Sequence, residues 1–293
     1  MIQIAVISGK GGTGKTTLTG ALASYFSGRI AVDGDVDASN LYMLFEPKVF
    51  EKYDYVASKK AVINTDGCIR CGICKDVCIF DAVKIDEGGN YVIDVFACEG
   101  CGYCYYACPV RVIDMYDEKS GEYYFGISER GPLTYSSLFP GEEASGGLVA
   151  EVRRLALQKS LDDPERPSII IDGAPGVACP AISSVTGTNY VIIVTEPTVS
   201  GLHDLGRAAE MVSHFNIPFG VVVNKYDLSV EKTEDIKQWC EDKGVEFLGE
   251  IPFDLNVVKA TRAAQSVIDM FPDTPASLAI MEIIKKLEEK FQI

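Results

Sequence analysis

Six short runs of apolar, mostly β-branched residues punctuate the chain: IQIAVIS from Ile2, RIAVDGD from Arg29, SIIID from Ser168, YVIIVT from Tyr190, FGVVVN from Phe219 and EFLGEI from Glu246. Most are apolar throughout and do not alternate with polar residues. A strand with one wet face alternates, so continuous runs predict strands covered on both faces of a parallel sheet. Helical stretches separate several of them, at 16–26 after the first run, 202–215 after the fourth and 231–243 after the fifth. Strands alternating with helices predict βαβ units and a doubly wound, mostly parallel α/β domain.

The rhythm breaks between about residues 61 and 117, where eight of the ten cysteines lie. Cys68, Cys71, Cys74 and Cys78 recur as Cys98, Cys101, Cys104 and Cys108, each displaced by thirty residues, and Val83 and Ile113 keep the same offset. A duplicated unit of this size reads as a guest domain. It divides the chain into a host of 1–60 and 118–293 and an insert of 61–117. Four cations (Arg70, Lys75, Lys84, Arg111) against nine acids leave the insert at −5.

Each half spells C-x₂-C-x₂-C-x₃-C, the spacing that wraps one iron–sulfur cubane with three thiolates and lends the fourth to a second cluster. By that rule Cys68, Cys71, Cys74 and Cys108 hold one cluster, and Cys98, Cys101, Cys104 and Cys78 hold the other. Zinc or disulfides are the competing uses of cysteine, and two complete tandem copies stand against both. The second half ends Cys108-Pro109, as the bacterial pattern does, whereas the first has Ile79 where proline is usual. The insert resembles a two-cluster bacterial ferredoxin, which implies a small α+β unit with two [4Fe-4S] clusters.

Composition narrows the setting. A hydrophobic fraction of 47% and a charged fraction of 24% suit an ordinary soluble protein, and a net charge of −15 argues against a nucleic-acid-binding face. Arg153 and Arg154 read as a solvated helix face. The start, MIQIAVIS, has no charged n-region, and the longest apolar runs are strand-length and far short of a bilayer span. The expectation is a cytoplasmic protein, in which ten cysteines serve metal or redox chemistry in preference to disulfides.

The stretch SGKGGTGKTT, from Ser8 to Thr17, follows the first apolar run and opens the first helix. Gly9 to Thr16 fits G-x₄-G-K-[ST] in the strand–loop–helix context that the motif needs. Backbone N–H groups of Gly11, Gly12, Thr13, Gly14, Lys15, Thr16 and Thr17 are expected to cradle phosphates. Lys15 is expected to reach the β- and γ-phosphates, with the Thr16 hydroxyl on Mg²⁺. Lys10 is a second lysine that the motif does not require. With it, KGGTGKT resembles the deviant phosphate loop of the MinD/ParA class, which includes the nitrogenase iron protein and iron–sulfur carrier ATPases. The resemblance implies a P-loop NTPase fold and a homodimer bridged by ATP, in which Lys10 contacts the nucleotide held by the other subunit.

Further segments carry the same resemblance. VDGDVDASN resembles switch I, with Asp35 as the residue that orients the attacking water and Asp33 near the metal. IIIDGAPG resembles switch II, with Asp172 as the carboxylate that holds Mg²⁺ through water. Asn224, Lys225 and Asp227 spell N-K-x-D, which reads guanine in GTPases. In the MinD-like class the asparagine reads adenine, and IPFD resembles that class's base-side loop, with backbone around Pro252 on the ring. ATP/ADP is therefore the expected nucleotide.

The resemblance implies an ATPase whose nucleotide state controls an iron–sulfur module. One version passes electrons to a redox partner, and another builds or delivers clusters to an apo client protein. The alternative from another class is spatial positioning, with the insert as a redox sensor. In the C-terminal IMEIIKKLEEKFQI, Ile283, Ile284, Leu287 and Phe291 share one face, which fits a helix packed on the sheet and also a membrane-surface helix. His203 and His214 read as solvated or half-buried. Cys179 reads as a small core residue beside Pro180; the sharper alternative, drawn from the nitrogenase iron protein, is a ligand at the dimer axis. Cys240 reads as an ordinary helix residue.

Overall fold

The computed structural model describes residues 1–26, 29–142, 146–162 and 168–292. It forms two compact units, a larger one of residues 1–53, 123–137 and 144–293 and a smaller one of residues 54–122 and 138–143. The strands are β1 (Ile2–Ser8), β2 (Ile30–Asp33), β3 (Lys48–Ile63), β4 (Val83–Ile85), β5 (Tyr91–Ile93), β6 (Ile113–Ser128), β7 (Gly131–Leu138), β8 (Ser168–Pro175), β9 (Tyr190–Thr195), β10 (Phe219–Asn224) and β11 (Glu246–Ile251). The helices are α1 (Lys15–Tyr25), α2 (Leu41–Phe45), α3 (Ile73–Asp76), α4 (Tyr103–Ala107), α5 (Gly146–Asp162) and α6 (Cys179–Val185). They continue as α7 (Val199–His214), α8 (Val230–Lys243), α9 (Leu255–Arg262), α10 (Val267–Met270) and α11 (Pro275–Phe291).

All six apolar runs are strands of one sheet, whose order is β11-β10-β9-β1-β8-β2-β7-β6-β3. The pairings from β11 through to β7 are parallel. The apolar-throughout pattern has its expected cause, since Val6, Ile7, Ile171, Ile192, Ile193, Val194, Val221, Val222 and Val223 are all fully buried. The sheet also includes β3, β6 and β7, which the apolar pattern does not announce. β3 and β6 interleave charged residues, as in KVFEKYDYVASKKAVI, and β7, GPLTYSSL, interleaves polar ones; charge on a strand marks the edge of a sheet, where β3 lies.

One core covers the face under α1 and α11, joining Leu18, Leu22, Val194, Val222, Leu248, Ile280, Ile283, Ile284 and Leu287. The apolar face of the last helix is therefore packed in the protein core, and Phe291 meets Tyr190 edge-on at 5.3 Å between ring centroids. Each such buried aliphatic side chain contributes about 1.5–3 kcal/mol. Among the described residues no helix is long and apolar enough to cross a membrane. On α5, Arg154 is exposed and pairs with Glu151 at 2.6 Å, as a solvated face requires. Arg153 departs from that expectation. Its guanidinium donates to the carbonyl of Thr186 at 2.8 Å, to that of Ser183 and to Gln3 Oε1 at 3.1 Å. The carbonyls at the end of α6 supply a stronger attraction than solvent does, so this arginine ties α5 to α6.

In the smaller unit the thirty-residue repeat is visible in the backbone. Left-handed φ values recur in pairs at that offset: Arg70 (57°) with Gly100 (67°), Gly72 (80°) with Gly102 (72°), and Asp81 (49°) with Arg111 (54°). Gly72 and Gly102 precede α3 and α4 as their N-caps. Gly100 cannot carry a side chain, because a Cβ there would lie 2.0 Å from the Lys59 carbonyl oxygen. The antiparallel pair β4–β5 and a small core of Ala61, Ile63, Cys74, Ala82, Val83, Cys98 and Ile113 complete the unit.

Candidate functional site

In the larger unit the carboxyl ends of β1, β2 and β8 lie side by side, the place where an open α/β sheet offers a crevice. Register puts Asp172 of β8 beside Val6 of β1 and Asp33 of β2. The phosphate loop leaves β1 here and becomes α1 at Gly14, whose φ of 91° no side chain favours. A Cβ on Gly14 would also stand 2.1 Å from Asn224 Nδ2. An open groove of about 1120 Å³ is lined by Gly11, Gly12, Gly14, Lys15, Thr16 and Thr17 together with Asp35, Ala174 and Pro175. Asp37, Ala38 and Asn40 line it too, and no motif pointed to them.

The charged groups at the floor of the groove are held by one another. Lys15 Nζ donates to Asp172 Oδ1 at 3.1 Å and to Asp35 Oδ2 at 3.3 Å. Burial alone would lower the Lys15 pKa, but the carboxylates of Asp172 and Asp35 outweigh it and raise it. The Asp172 carboxylate, 1% exposed, also accepts from Thr16 Oγ1 at 2.6 Å. The Thr19 hydroxyl lies 2.9 Å from Asp172 Oδ1 and 3.0 Å from the Lys15 carbonyl. Thr19 was hidden from a motif search because it lies inside the helix; its signal is the i, i+4 spacing from Lys15. The paired hydroxyl and carboxylate of Thr16 and Asp172 are the hard oxygen donors that Mg²⁺ prefers, few in number because that ion keeps several waters. The Thr13 hydroxyl is buried without a partner.

Asp33 turns inward. Its carboxylate accepts from Ser39 Oγ at 2.7 Å and from the backbone of Leu41 and Asp35 at 2.9 and 3.3 Å. Burial, then the nearby Asp172 charge, pushes its pKa up to about 7. Asp33 thus shapes the segment that presents Asp35. Burial also raises the Asp35 pKa, against the pull of Lys15.

Lys10 points away from the groove floor. Its Nζ lies 3.4 Å from Glu196 Oε2 and 3.4 Å from Ser200 Oγ, between β9 and α7. Glu196 also takes Lys225 Nζ at 2.6 Å, and that lysine reaches the Gly12 carbonyl at 3.4 Å. Glu196 carried no motif, so its role as the acceptor of both lysines is visible only in the fold. Asn224 donates from Nδ2 to the Thr13 carbonyl at 2.8 Å and accepts from Lys225 N at 3.0 Å, bracing the phosphate loop. Asp227 accepts from Phe253 N at 2.7 Å, which ties the N-K-x-D turn to the loop of Pro252, itself half-buried.

In the smaller unit two cavities are each lined by four cysteines. One takes Cys68, Cys71, Cys74 and Cys108. The other takes Cys78, Cys98, Cys101 and Cys104. In each, three cysteines come from one half of the repeat and one from the other. Backbone N–H groups point at sulfur, from Arg70 to Cys68 at 3.4 Å and from Ala82 to Cys78 at 3.3 Å. Burial raises the Cys74 and Cys104 thiol pKa values, and Cys98, Cys101 and Cys78 add to the rise at Cys104. Among the described residues no three His, Cys, Asp or Glu side chains converge as ligands of one metal ion. A single ion draws thiolates to about 2.3 Å from one centre. What the structure gives in each cavity is four cysteine side chains lining one space.

The remaining candidates separate. Cys179 is exposed at the start of α6, which overturns its reading as a small buried core residue. Cys240 is buried in α8, and burial pushes its thiol up to about 11. His203 and His214 are exposed.

The chain resembles known proteins in sequence and in fold. The chain is 33% identical over 99% of its length to an uncharacterized protein of Methanocaldococcus jannaschii, 97% of which is covered. It is 28% identical over 99% of its length to an iron–sulfur cluster carrier protein of Pyrococcus abyssi, with 86% of that protein covered. Its fold matches the septum site-determining protein MinD from Pyrococcus horikoshii, solved with Mg-ADP, with a TM-score of 0.60 at 18% identity over 99% of this chain and 96% of that one. The CobQ/CobB/MinD/ParA nucleotide-binding domain matches residues 4–267, and with the loop, switch carboxylates and sheet just described, the chain belongs to that family.

Proposed function

We propose that this protein is an ATP-hydrolysing iron–sulfur protein in which a nucleotide-dependent homodimer controls a two-cluster ferredoxin module. The observation that carries the reading is the sorting of eight cysteines into two cavities of four, on a chain that also has a phosphate-loop site. Lys15 and the loop N–H groups bind and orient the phosphates, and Thr16 with Asp172 holds Mg²⁺, which neutralises charge on the transferring group. Asp35 orients the attacking water. Lys10 leaves Glu196 and serves the nucleotide of the other subunit. Asn224 and the backbone at Pro252 take the base side, with ATP favoured over GTP. When bound, the clusters supply single-electron exchange.

Two sets of four cysteines, enough to ligate two clusters permanently, support electron transfer to a redox partner, because a carrier needs a labile site. The carrier relatives in Pyrococcus support delivery to apo iron–sulfur clients, and transfer assays separate the two. A positioning role has less support, since the apolar face of α11 is buried in the core. Anaerobically purified protein is expected to contain about eight iron atoms per chain. Cys78→Ser is expected to damage the same cluster as Cys98→Ser and to spare the one lost in Cys68→Ser. Electron paramagnetic resonance that places Cys78 and Cys68 on one cluster overturns the ligand sets, and iron-free protein overturns the module.

A further inference from the structure

Among the described residues the three most exposed large apolar side chains are Phe96, Ile79 and Tyr106, at 87%, 86% and 82%. All three belong to one place. Ile79 follows Cys78, Phe96 lies two residues before Cys98 and Tyr106 lies two after Cys104, and these cysteines line a single cavity. Phe80 and Tyr103, which line the same cavity, are also exposed. The duplication sharpens the point. Where α3 has Ile73, Lys75 and Asp76, α4 has Tyr103, Tyr105 and Tyr106 at the thirty-residue offset. One end of the repeat therefore keeps a charged helix surface while the other has replaced it with rings. Clustered exposed apolar side chains of this kind mark contact sites, and aromatic anchors dominate the energy of such contacts.

Charge says what kind of surface fits. From Asp94 to Cys108 there are two acids, Asp94 and Glu99, and no lysine or arginine. Glu99 lines the cavity and is exposed; of the acids near Cys78, Asp81 is paired with Lys84 at 2.6 Å and Asp76 stands beside Lys75, so Asp94 and Glu99 carry the net charge of the margin. An apolar centre with an acidic margin is complementary to an apolar centre with a basic margin.

We propose that the rim of Ile79, Phe80, Phe96, Tyr103 and Tyr106 is the docking surface for a soluble one-electron carrier protein with a basic contact face. This rests on the ferredoxin-module reading above. Cys78, Cys98, Cys101 and Cys104 would hold the cluster; once reduced by added dithionite, with the excess removed, it would give one electron to the oxidised centre of the carrier, with no bond made and no proton moved.

Cytochrome c, a basic carrier with an exposed haem edge, is the probe. Full-length, anaerobic protein of measured iron content is expected to bind ferric cytochrome c with an affinity that falls as salt is added. Phe96→Ser and Tyr106→Ser are each expected to weaken binding by calorimetry, and to slow haem reduction, by about tenfold. Glu99→Lys is expected to weaken binding at low salt. Ile85→Ser, on β4 and outside both cavity linings, is expected to bind within about twofold of wild type, the scale of a surface change away from a contact. Unchanged binding by the Phe96 and Tyr106 variants at full iron content overturns the docking surface alone, as does an equal loss in Ile85→Ser. Ring-dependent self-association in sedimentation assigns the rim to a second copy of the chain, and ring-dependent capture by phosphatidylcholine–phosphatidylglycerol vesicles assigns it to lipid; either result overturns the proposal. Protein without iron removes the module and the docking surface together.

Discussion

Lys10 is held by a glutamate of its own chain, and that pairing sets how readily it can serve another. The Lys10–Glu196 contact is 3.4 Å long and a third exposed on the lysine side, the kind of ion pair worth about 0.2–1 kcal/mol. Glu196 is meanwhile shared with Lys225 at 2.6 Å, so releasing Lys10 leaves no uncompensated charge behind. A latch this weak biases the lysine without locking it. Glu196→Gln is therefore expected to raise basal ATP hydrolysis by about two- to fivefold, the same free energy expressed as a rate. Lys10→Ala is expected to keep ATP affinity within a few-fold yet lose more than about tenfold in hydrolysis, together with nucleotide-dependent dimerisation, as a charge supplied in trans requires. Full hydrolysis by a monomeric Lys10→Ala protein removes the trans role. A Glu196→Gln protein no faster than wild type removes the latch.

At the scale of elements, α11 is fixed at its end as well as along its face. Lys290 Nζ donates to Glu246 Oε2 at 2.6 Å, the Tyr190 hydroxyl donates to the same carboxylate, and the Lys290 ammonium stands 4.9 Å from the Tyr190 ring centroid. Burial pushes the Glu246 carboxyl up, but the Lys290 and Tyr190 hydrogen bonds outweigh it, and its pKa falls below the usual 4.5. A depressed carboxylate stabilises the fold above its unfolded-state pKa and loses that contribution as pH falls through the folded value. Glu246 is 40% exposed on its side chain, so solvent screening limits the gain to under about 1 kcal/mol. In thermal unfolding, Glu246→Gln is expected to melt slightly lower than wild type at pH 7 and to match it once the pH has fallen below the depressed folded-state pKa; a gap that persists in acid assigns the loss to packing.

The same scale shows what the sequence could and could not tell. Strands buried on both faces, such as YVIIVT, announce themselves because both sides must be apolar. β3 and β6, sixteen residues each, do not, because alternate side chains meet water or carry charge and the apolar signal is halved. The cysteine sets were legible because ligand spacing is short-range, and so were Lys15, Thr16 and Asp172. Glu196 was not, since 186 residues separate it from Lys10 and only the sheet brings β1 beside β9. Arg153 failed for a related reason: its partners are carbonyls of another helix, which composition does not reveal.

For the whole molecule, the decisive fact is where the smaller unit leaves the larger one. Its main segment, residues 54–122, leaves and rejoins through β3 and β6, which are neighbours at the margin of the sheet, and Tyr53 and Tyr123, which bound that segment, stack with ring centroids 5.1 Å apart; residues 138–143 are a second, short excursion. The buried strands β1, β8 and β9 and the phosphate loop take no part in that departure. Protein stripped of iron by a chelator is accordingly expected to bind nucleotide within about twofold of the iron-loaded form, a free-energy change of under about 0.5 kcal/mol. A larger loss in equilibrium binding means that the cysteine-rich unit supports the nucleotide fold directly. A segment whose two ends are already adjacent behaves as a cassette: joining one strand to the next removes it without asking the buried strands to repack.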